Sequence, residues 1–325
     1  MLRILFCLFP LLLSFCLSAL FLRYAIPVLR KQKMGQRILA IGPSWHKAKE
    51  GTPTLGGLSF LLSVPISLLV TLRVFRQTLS YEVTLVLLYA LSGGLIGLID
   101  DGTKLKHRKN LGLLPWQKLF LQTLFALFFL FLFHRNVTDL SLLPLPFFRI
   151  SLSLGFFSLP LLTFLLVGTV NCANLTDGID GLAGTVSLLI ALFFLFEGVQ
   201  AENTGVIALS ASLAGGLLGF LLFNRHPARI FMGDTGSLFL GAILSVIPFL
   251  LASPLVMVVS SLVFIVEGVS VVLQVLYFKK TGKRIFKMAP YHHHLEKCGW
   301  SEGKIVLAFA ALTLLSVLFA HFALS

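Results

Sequence analysis

Leu95-Ile96-Gly97-Leu98-Ile99-Asp100-Asp101 is an apolar stretch that runs without interruption into two adjacent carboxylates. A membrane span often ends in lysines; a span ending in two anions calls for a cationic partner. Two carboxylates about 4 Å apart repel by roughly 4 kcal/mol at an effective dielectric near 20, so both stay ionised only beside a metal ion or a lysine. The competing reading is a pair of solvated loop acids.

The same kind of apolar run recurs on both sides of this stretch. The chain has 325 residues, of which 57% are hydrophobic and only 12% charged, and its mean hydropathy is +0.95. No soluble core could use so many apolar runs of about 20 residues, which makes this an integral membrane protein. Lipid tolerates helices or closed barrels, and the runs are continuous rather than alternating, so the expected fold is all-α and polytopic. A single domain over residues 1–325 is expected. Spans are read at about 2–22, 57–72, 82–99, 117–133, 156–172, 182–198, 204–222, 236–252, 254–278 and 304–323, about ten in all. The first is read as a retained span, because it exceeds a typical signal-peptide core and Phe15 before Cys16 spoils a lipoprotein cleavage site. Four cysteines, Cys7, Cys16, Cys172 and Cys298, show no paired spacing.

Loop charge gives the sidedness. With alternating spans, one set of loops holds Arg30, Lys31, Lys33, Arg37, Lys47 and Lys49, then Lys104, Lys106, Arg108 and Lys109, then Arg225 and Arg229, then Lys279, Lys280, Lys283, Arg284, Lys287 and Lys297. The opposite set holds Arg73, Arg76, Arg135 and Arg149. The basic side is expected to face the cytoplasm, and an even span count puts both termini outside. Five of the six aspartates, Asp100, Asp101, Asp177, Asp180 and Asp234, fall on the basic side, and Asp139 falls outside. Glu267 is the main candidate for an acid within a span, with Gln274 seven residues on along the same helical face. It reads equally as lining a polar cleft or as a structural acid.

Five constellations on this side carry chemistry. Lys49-Glu50-Gly51-Thr52-Pro53-Thr54-Leu55-Gly56-Gly57 exposes backbone N–H groups beside a lysine and suits an anion, or else is a helix start capped by Thr54. Asp100-Asp101 with Lys104, Lys106, Arg108, Lys109 and Lys118 fits Mg²⁺ plus a diphosphate better than acids or bases alone would. In Asn171-Cys172-Ala173-Asn174-Leu175-Thr176-Asp177-Gly178-Ile179-Asp180-Gly181, polar groups recur every third residue at 174, 177 and 180. Asp180 alone could cap the next helix. Asn224-Arg225-His226-Pro227-Ala228-Arg229-Ile230-Phe231-Met232-Gly233-Asp234-Thr235-Gly236-Ser237 sets a lone carboxylate at a span entrance, a good metal ligand and equally a good N-cap. Last, Met288-Ala289-Pro290-Tyr291-His292-His293-His294-Leu295-Glu296 holds three histidines that cannot all face one ion on a helix. His292 and Glu296 share a face and could bind zinc, but histidines donating to phosphate or orienting the acids suit the setting better.

These motifs, taken in order, resemble the polyprenyl-phosphate N-acetylhexosamine-1-phosphate transferase superfamily. The Gly51-to-Gly57 segment and the Met-Ala-Pro-x-His-His-His motif are most similar to its phospho-N-acetylmuramoyl-pentapeptide transferase branch, and the match runs from about Lys33 to Trp300. Two departures stand out: Leu55 where that family usually has Met, and Gly102 where an aromatic commonly follows the acid pair. The second is expected to affect packing around Asp101.

The resemblance implies a Mg²⁺-dependent transferase of the bacterial cytoplasmic (inner) membrane. It would move phospho-MurNAc-pentapeptide from UDP-MurNAc-pentapeptide to undecaprenyl phosphate, releasing UMP and leaving lipid I for the cell wall. By motif match, Asp100, Asp101, Asp234 and His292 are the catalytic candidates, with Asp234 the first choice for Mg²⁺ and Asp101 a second. Lys49, Lys104, His292 and His293 would hold the diphosphate; Asn174, Asp177, Asp180, Asn224 and Phe231 would form the nucleotide side; Gln274 and His294 are further substrate-binding candidates. Partners are then the two substrates and the bilayer, with no nucleic acid, and pairing as a homodimer is left open. A sister activity, moving GlcNAc-1-phosphate from UDP-GlcNAc, is the alternative, and a lipid transporter or flippase the more remote one. A transporter usually shows repeated halves, and these motifs do not repeat.

Overall fold

The structure is a computed structural model that describes residues 2–32, 49, 51–107, 112–148 and 150–324. Lys33, Arg37, Lys47, Glu50, Arg108, Lys109 and Arg149, named above, lie outside the described residues. The helices are α1 (Leu2–Lys31), α2 (Leu58–Val74), α3 (Tyr81–His107), α4 (Pro115–Asn136), α5 (Ser158–Thr176), α6 (Leu182–Gln200), α7 (Thr204–Asn224), α8 (Gly233–Val246), α9 (Val256–Ser260), α10 (Leu262–Thr281), α11 (Tyr291–Lys297) and α12 (Glu302–Leu324). A short hairpin, β1 (Leu142–Pro144) against β2 (Ser151–Ser153), follows α4. Among the described residues nine helical segments are long and apolar enough to cross a membrane, and α2 is a shorter apolar helix. Together they account for the ten runs read from the sequence.

Three boundaries differ from that reading. The first helix continues past residue 22 to Lys31. The ninth run is interrupted near Ser261, so that α9 and α10 are separate helices. The third continues through the acid pair to His107. That extension has a local cause: Lys104 lies one turn beyond both acids, with its Nζ 2.6 Å from Asp100 and 4.0 Å from Asp101. An acid N-terminal to a lysine at this spacing supports a helix. Asp100 and Asp101 are accordingly buried helical residues rather than solvated loop acids.

Small residues decide which helices meet. On α3, a methyl at Gly93 would lie 2.8 Å from the carbonyl oxygen of Leu238, and one at Gly97 would lie 2.2 Å from that of Asp234. Gly93 and Gly97 are one turn apart, so α8 lies directly on the α3 backbone, as small-residue stripes allow in lipid. On α7, Gly215 and Gly219 play the same part against Leu11 and Phe15 of α1. Buried hydroxyls add hydrogen bonds between helices: Ser67 of α2 donates to the Pro10 carbonyl of α1 (2.7 Å), and Ser18 of α1 to that of Gly216 on α7 (2.9 Å). The close approach of α3 and α8 is what builds the site, because it brings residue 234 to residues 100 and 101.

Candidate active site

The entrance to α8 is organised by a carboxylate from another helix. Asp101 accepts hydrogen bonds from the backbone N–H groups of Asp234 (3.2 Å) and Thr235 (2.9 Å) and from the Thr235 hydroxyl (2.7 Å). It thereby serves the orphan N–H groups of α8, where negative charge is favoured. Gly233 precedes this turn with φ +72°, and a methyl there would lie 2.5 Å from Asp101 Oδ2, so both backbone and space require glycine. Asp234 is therefore spared the capping role that its position suggested. Its carboxylate points instead to Lys104 Nζ (3.1 Å), Lys118 Nζ (2.5 Å) and the Asn174 side-chain amide (3.1 Å).

Asp100 completes the group. It is fully buried, meets Lys104 at 2.6 Å and Lys118 at 3.0 Å, and accepts from the Leu113 N–H at 2.7 Å, which draws the segment before α4 over it. One oxygen from each of Asp100, Asp101 and Asp234 lies within 4.8 Å of the others. These are hard oxygen donors converging from two helices, and Asp234 is partly exposed, a donor set that fits Mg²⁺ or a similar divalent ion. Lys104 of α3 and Lys118 of α4 offset part of the negative charge of the three carboxylates. Among the described residues nothing lies within 4 Å of where a Cβ would stand at Gly102, beside this cluster.

Residues 83–252, which contain all of these acids and both lysines, match the family model described as glycosyl transferase family 4. The phospho-N-acetylmuramoyl-pentapeptide-transferase of Clostridium botulinum (strain Eklund 17B / Type B) is 43% identical over 319 residues, 97% of this chain and 95% of that protein. The proteins of that name from Caldanaerobacter subterraneus and Geobacillus sp. (strain WCH70) are each 42% identical, covering 98% and 93% of this chain and the same shares of their own lengths. The chain belongs to this transferase family.

In this family member a second wall faces the acid cluster. Asn174 bridges Asp234 and Ser237 (3.1 and 2.7 Å) from the last turn of α5. Asp177 follows at the C-cap, half-buried. Burial, with the charges of Asp234, Asp101 and Asp180, pushes its carboxyl up to about 8. The next residue, Gly178, abuts His292: a methyl there would lie 2.1 Å from the imidazole Nε2. His292 is fully buried, and its Nδ1 and backbone N–H both meet the Glu267 carboxylate at 3.1 Å. The zinc pairing of His292 with Glu296 is not what the fold builds, since Glu296 instead meets His293 Nδ1 at 2.6 Å. Their one-turn spacing placed them on one face, but α10 takes His292 away.

Several candidates are held by other groups. Lys49 meets Asp180 (2.8 Å) and Glu302 (2.7 Å) at the start of α12. Asp180 also receives the Ala228 N–H (2.9 Å) and faces His226 Nδ1 (3.0 Å). Asn224 is buried, accepting from the Gly181 N–H (3.1 Å) and donating to the Ile230 carbonyl (2.9 Å), so it ties two loops together. Gln274 accepts from the N–H groups of Ile285 and Phe286, and His294 Nδ1 from that of Lys287, which anchors the loop after α10. Phe231 is half-buried and its backbone pairs with Pro53, Gly56 and neighbours. That pairing corrects the anion-turn reading of residues 49–57: the Gly56 and Gly57 N–H groups are donated to the carbonyls of Phe231 and Met232 (2.8 and 3.0 Å). Gly57, not Thr54, is the N-cap of α2.

Sequence reasoning gave no site role to Glu302, His226, Thr235 or Gly178, and it named Lys118 only within the basic run that follows the acid pair. Lys118 alone had a signal, one turn inside a span whose other residues are largely apolar.

Proposed function

We propose that this protein transfers phospho-MurNAc-pentapeptide from UDP-MurNAc-pentapeptide to undecaprenyl phosphate, giving lipid I and UMP for peptidoglycan synthesis. The observation that carries this reading is the meeting of Asp100, Asp101 and Asp234 with Lys104 and Lys118 at one end of a membrane bundle, in a chain of this family. The basic termini of α10 and its following loop, Lys279, Lys280, Lys283, Arg284 and Lys287, support a cytoplasmic position for that end, and with it a multi-pass protein of the bacterial cytoplasmic membrane with both termini periplasmic.

An acceptor phosphate oxygen attacks the phosphorus attached to the sugar, and the bond from that phosphorus to the UMP oxygen breaks. One diphosphate bond replaces another, so no ATP is needed and catalysis consists of positioning and charge neutralisation. Lys104 and Lys118 are the groups that receive phosphate oxygens, each already shared between two or more carboxylates. Asp100 holds both ammonium groups in place, an orienting role; its burial argues against a direct proton transfer. Asp101 fixes the start of α8 and through it Asp234. Asp234, with Asp100 and Asp101 beside it, would hold Mg²⁺, which supplies neutralisation of the diphosphate charge. Asn174, Asp177 and Phe231 form the nucleotide side, while Lys49, Asp180, Asn224, Gln274 and His294 brace its walls. His292 and His293 complete the diphosphate pocket.

Purified protein with Mg²⁺ and undecaprenyl phosphate should release UMP from UDP-MurNAc-pentapeptide and not from UDP-GlcNAc. Release from UDP-GlcNAc alone would assign the sister reaction. Movement of labelled lipid across proteoliposomes with no UMP formed would make the protein a transporter.

A further inference from the structure

Glu267 lies wholly inside the bundle on α10, yet both of its oxygens face one residue outside that helix. Oε1 receives the backbone N–H of His292 at 3.1 Å, and Oε2 meets Nδ1 of the same residue at 3.1 Å. Glutamate and histidine are both fully buried. A burial this complete is costly for a carboxylate unless its acceptors are filled, and here one residue fills them. A carboxylate only accepts, so Nδ1 carries the hydrogen and Nε2 is turned the other way. Among the described residues Nε2 has no hydrogen-bond partner, and it points at Gly178, next to Asp177. The absence of a side chain at Gly178 leaves that ring edge against the turn where Asp177 comes under the charge of Asp234 and Asp101.

We propose that Glu267 is a positioning residue for the transfer. It fixes the tautomer and the direction of His292 so that Nε2 is presented at the Asp177–Gly178 turn to a phosphate oxygen of the nucleotide donor, opposite Lys104 and Lys118. The inference rests on the transferase reading given above. To donate to the phosphate, Nε2 takes up one proton from bulk water as the anionic donor binds; the ring then carries both hydrogens, and the Glu267 carboxylate lies where it balances that charge. Glu267 itself touches no substrate.

The test is a double-substitution cycle on the purified protein, following UMP release from UDP-MurNAc-pentapeptide. Loss of a positioned donor typically costs about 10²-fold in kcat; His292→Gln should show a loss of that order, and Glu267→Gln about tenfold or more with folding retained. Because Glu267 works through His292, the pair Glu267→Gln with His292→Gln should fall within about threefold of His292→Gln alone. Glu267→Asp, which keeps the charge, should recover part of the loss. Losses that multiply in the pair, or parental turnover in Glu267→Gln, overturn the proposal. If Glu267→Gln does not fold, Gly178→Ala displaces the ring with Glu267 intact; parental turnover there also overturns it. A parent enzyme that releases no UMP at all would sink the transferase reading first, before any variant is compared.

Discussion

Two ionic clusters stand at the same end of the bundle, and by geometry either could hold a metal. Asp100, Asp101 and Asp234 form one; Asp180, His226 and Glu302 form the other, and in each the ligand atoms lie within 4.8 Å of one another. Their partners differ. In the second, a single lysine, Lys49, is shared by Asp180 and Glu302, and the remaining oxygens are filled by backbone: Ala228 N–H on Asp180 and the Asp180 N–H on Glu302. The acid side chains are only 2% and 11% exposed. That cluster is a closed brace joining three loops to α12. In the first, two lysines are spread over three carboxylates, and Lys104 and Lys118 remain 33% and 21% exposed. A phosphate can draw those lysines away while a divalent ion takes up the carboxylates. The lesson is that the number of acids in a cluster says less than whether one of them keeps its oxygens on displaceable side chains, as Asp234 does with Lys104, Lys118 and Asn174.

That contrast can be broken or sharpened by substitution. Asp234→Asn should have the largest effect, a loss of about 10³-fold in UMP release with a folded, extractable protein, since it removes charge at the exposed edge of the open cluster. Near-parental turnover would remove Asp234 from the metal assignment. Gly97→Ala comes next. Its methyl falls 2.2 Å from the Asp234 carbonyl oxygen, so α8 must shift. Overpacking of this kind costs about 1–3 kcal/mol, and turnover should fall about tenfold as the start of α8 leaves Asp101; a melting curve and a rate together check it.

Glu302→Gln should act in the opposite sense, on stability and not on chemistry. Breaking a largely buried ion pair costs about 3 kcal/mol, read as a lower melting temperature, while kcat at low temperature changes less than about threefold. A large loss of Mg²⁺-dependent turnover at unchanged stability would mean that the brace is itself a functional site. The mildest change is read without turnover. An unfolded aspartate titrates near pH 4, whereas Asp177 in the fold holds its proton up to about 8. Between those values the unfolded chain has lost a proton that the folded one keeps, so this group's contribution to stability declines as pH rises and is level above about 8. Asp177→Asn, melted in EDTA from pH 4 to 9, should show a flatter decline than the parent; an identical slope would refute the shift.

Much of the architecture was legible in the residues because lipid imposes a simple rule: long apolar runs become helices, and backbone groups must be satisfied within them. The breaks were less legible. The helical continuation through Asp100 and Asp101 depends on Lys104 and on cover from residues 112–114, which no apolar count records. Gly93 and Gly97 read as merely apolar positions, yet they set how closely α3 and α8 approach.

The amino-acid order by itself determined the membrane helices, the concentration of carboxylates and lysines toward one side, and the family motifs, since each is carried by composition or by neighbours along the chain. Only the tertiary structure decided which acid caps α8, which lysines serve Asp234, that Lys49 belongs to the brace, and that Glu267 grips His292 from 25 residues away. Those choices depend on distances between helices far apart in sequence, and such distances come from packing, where one missing methyl determines whether two backbones touch.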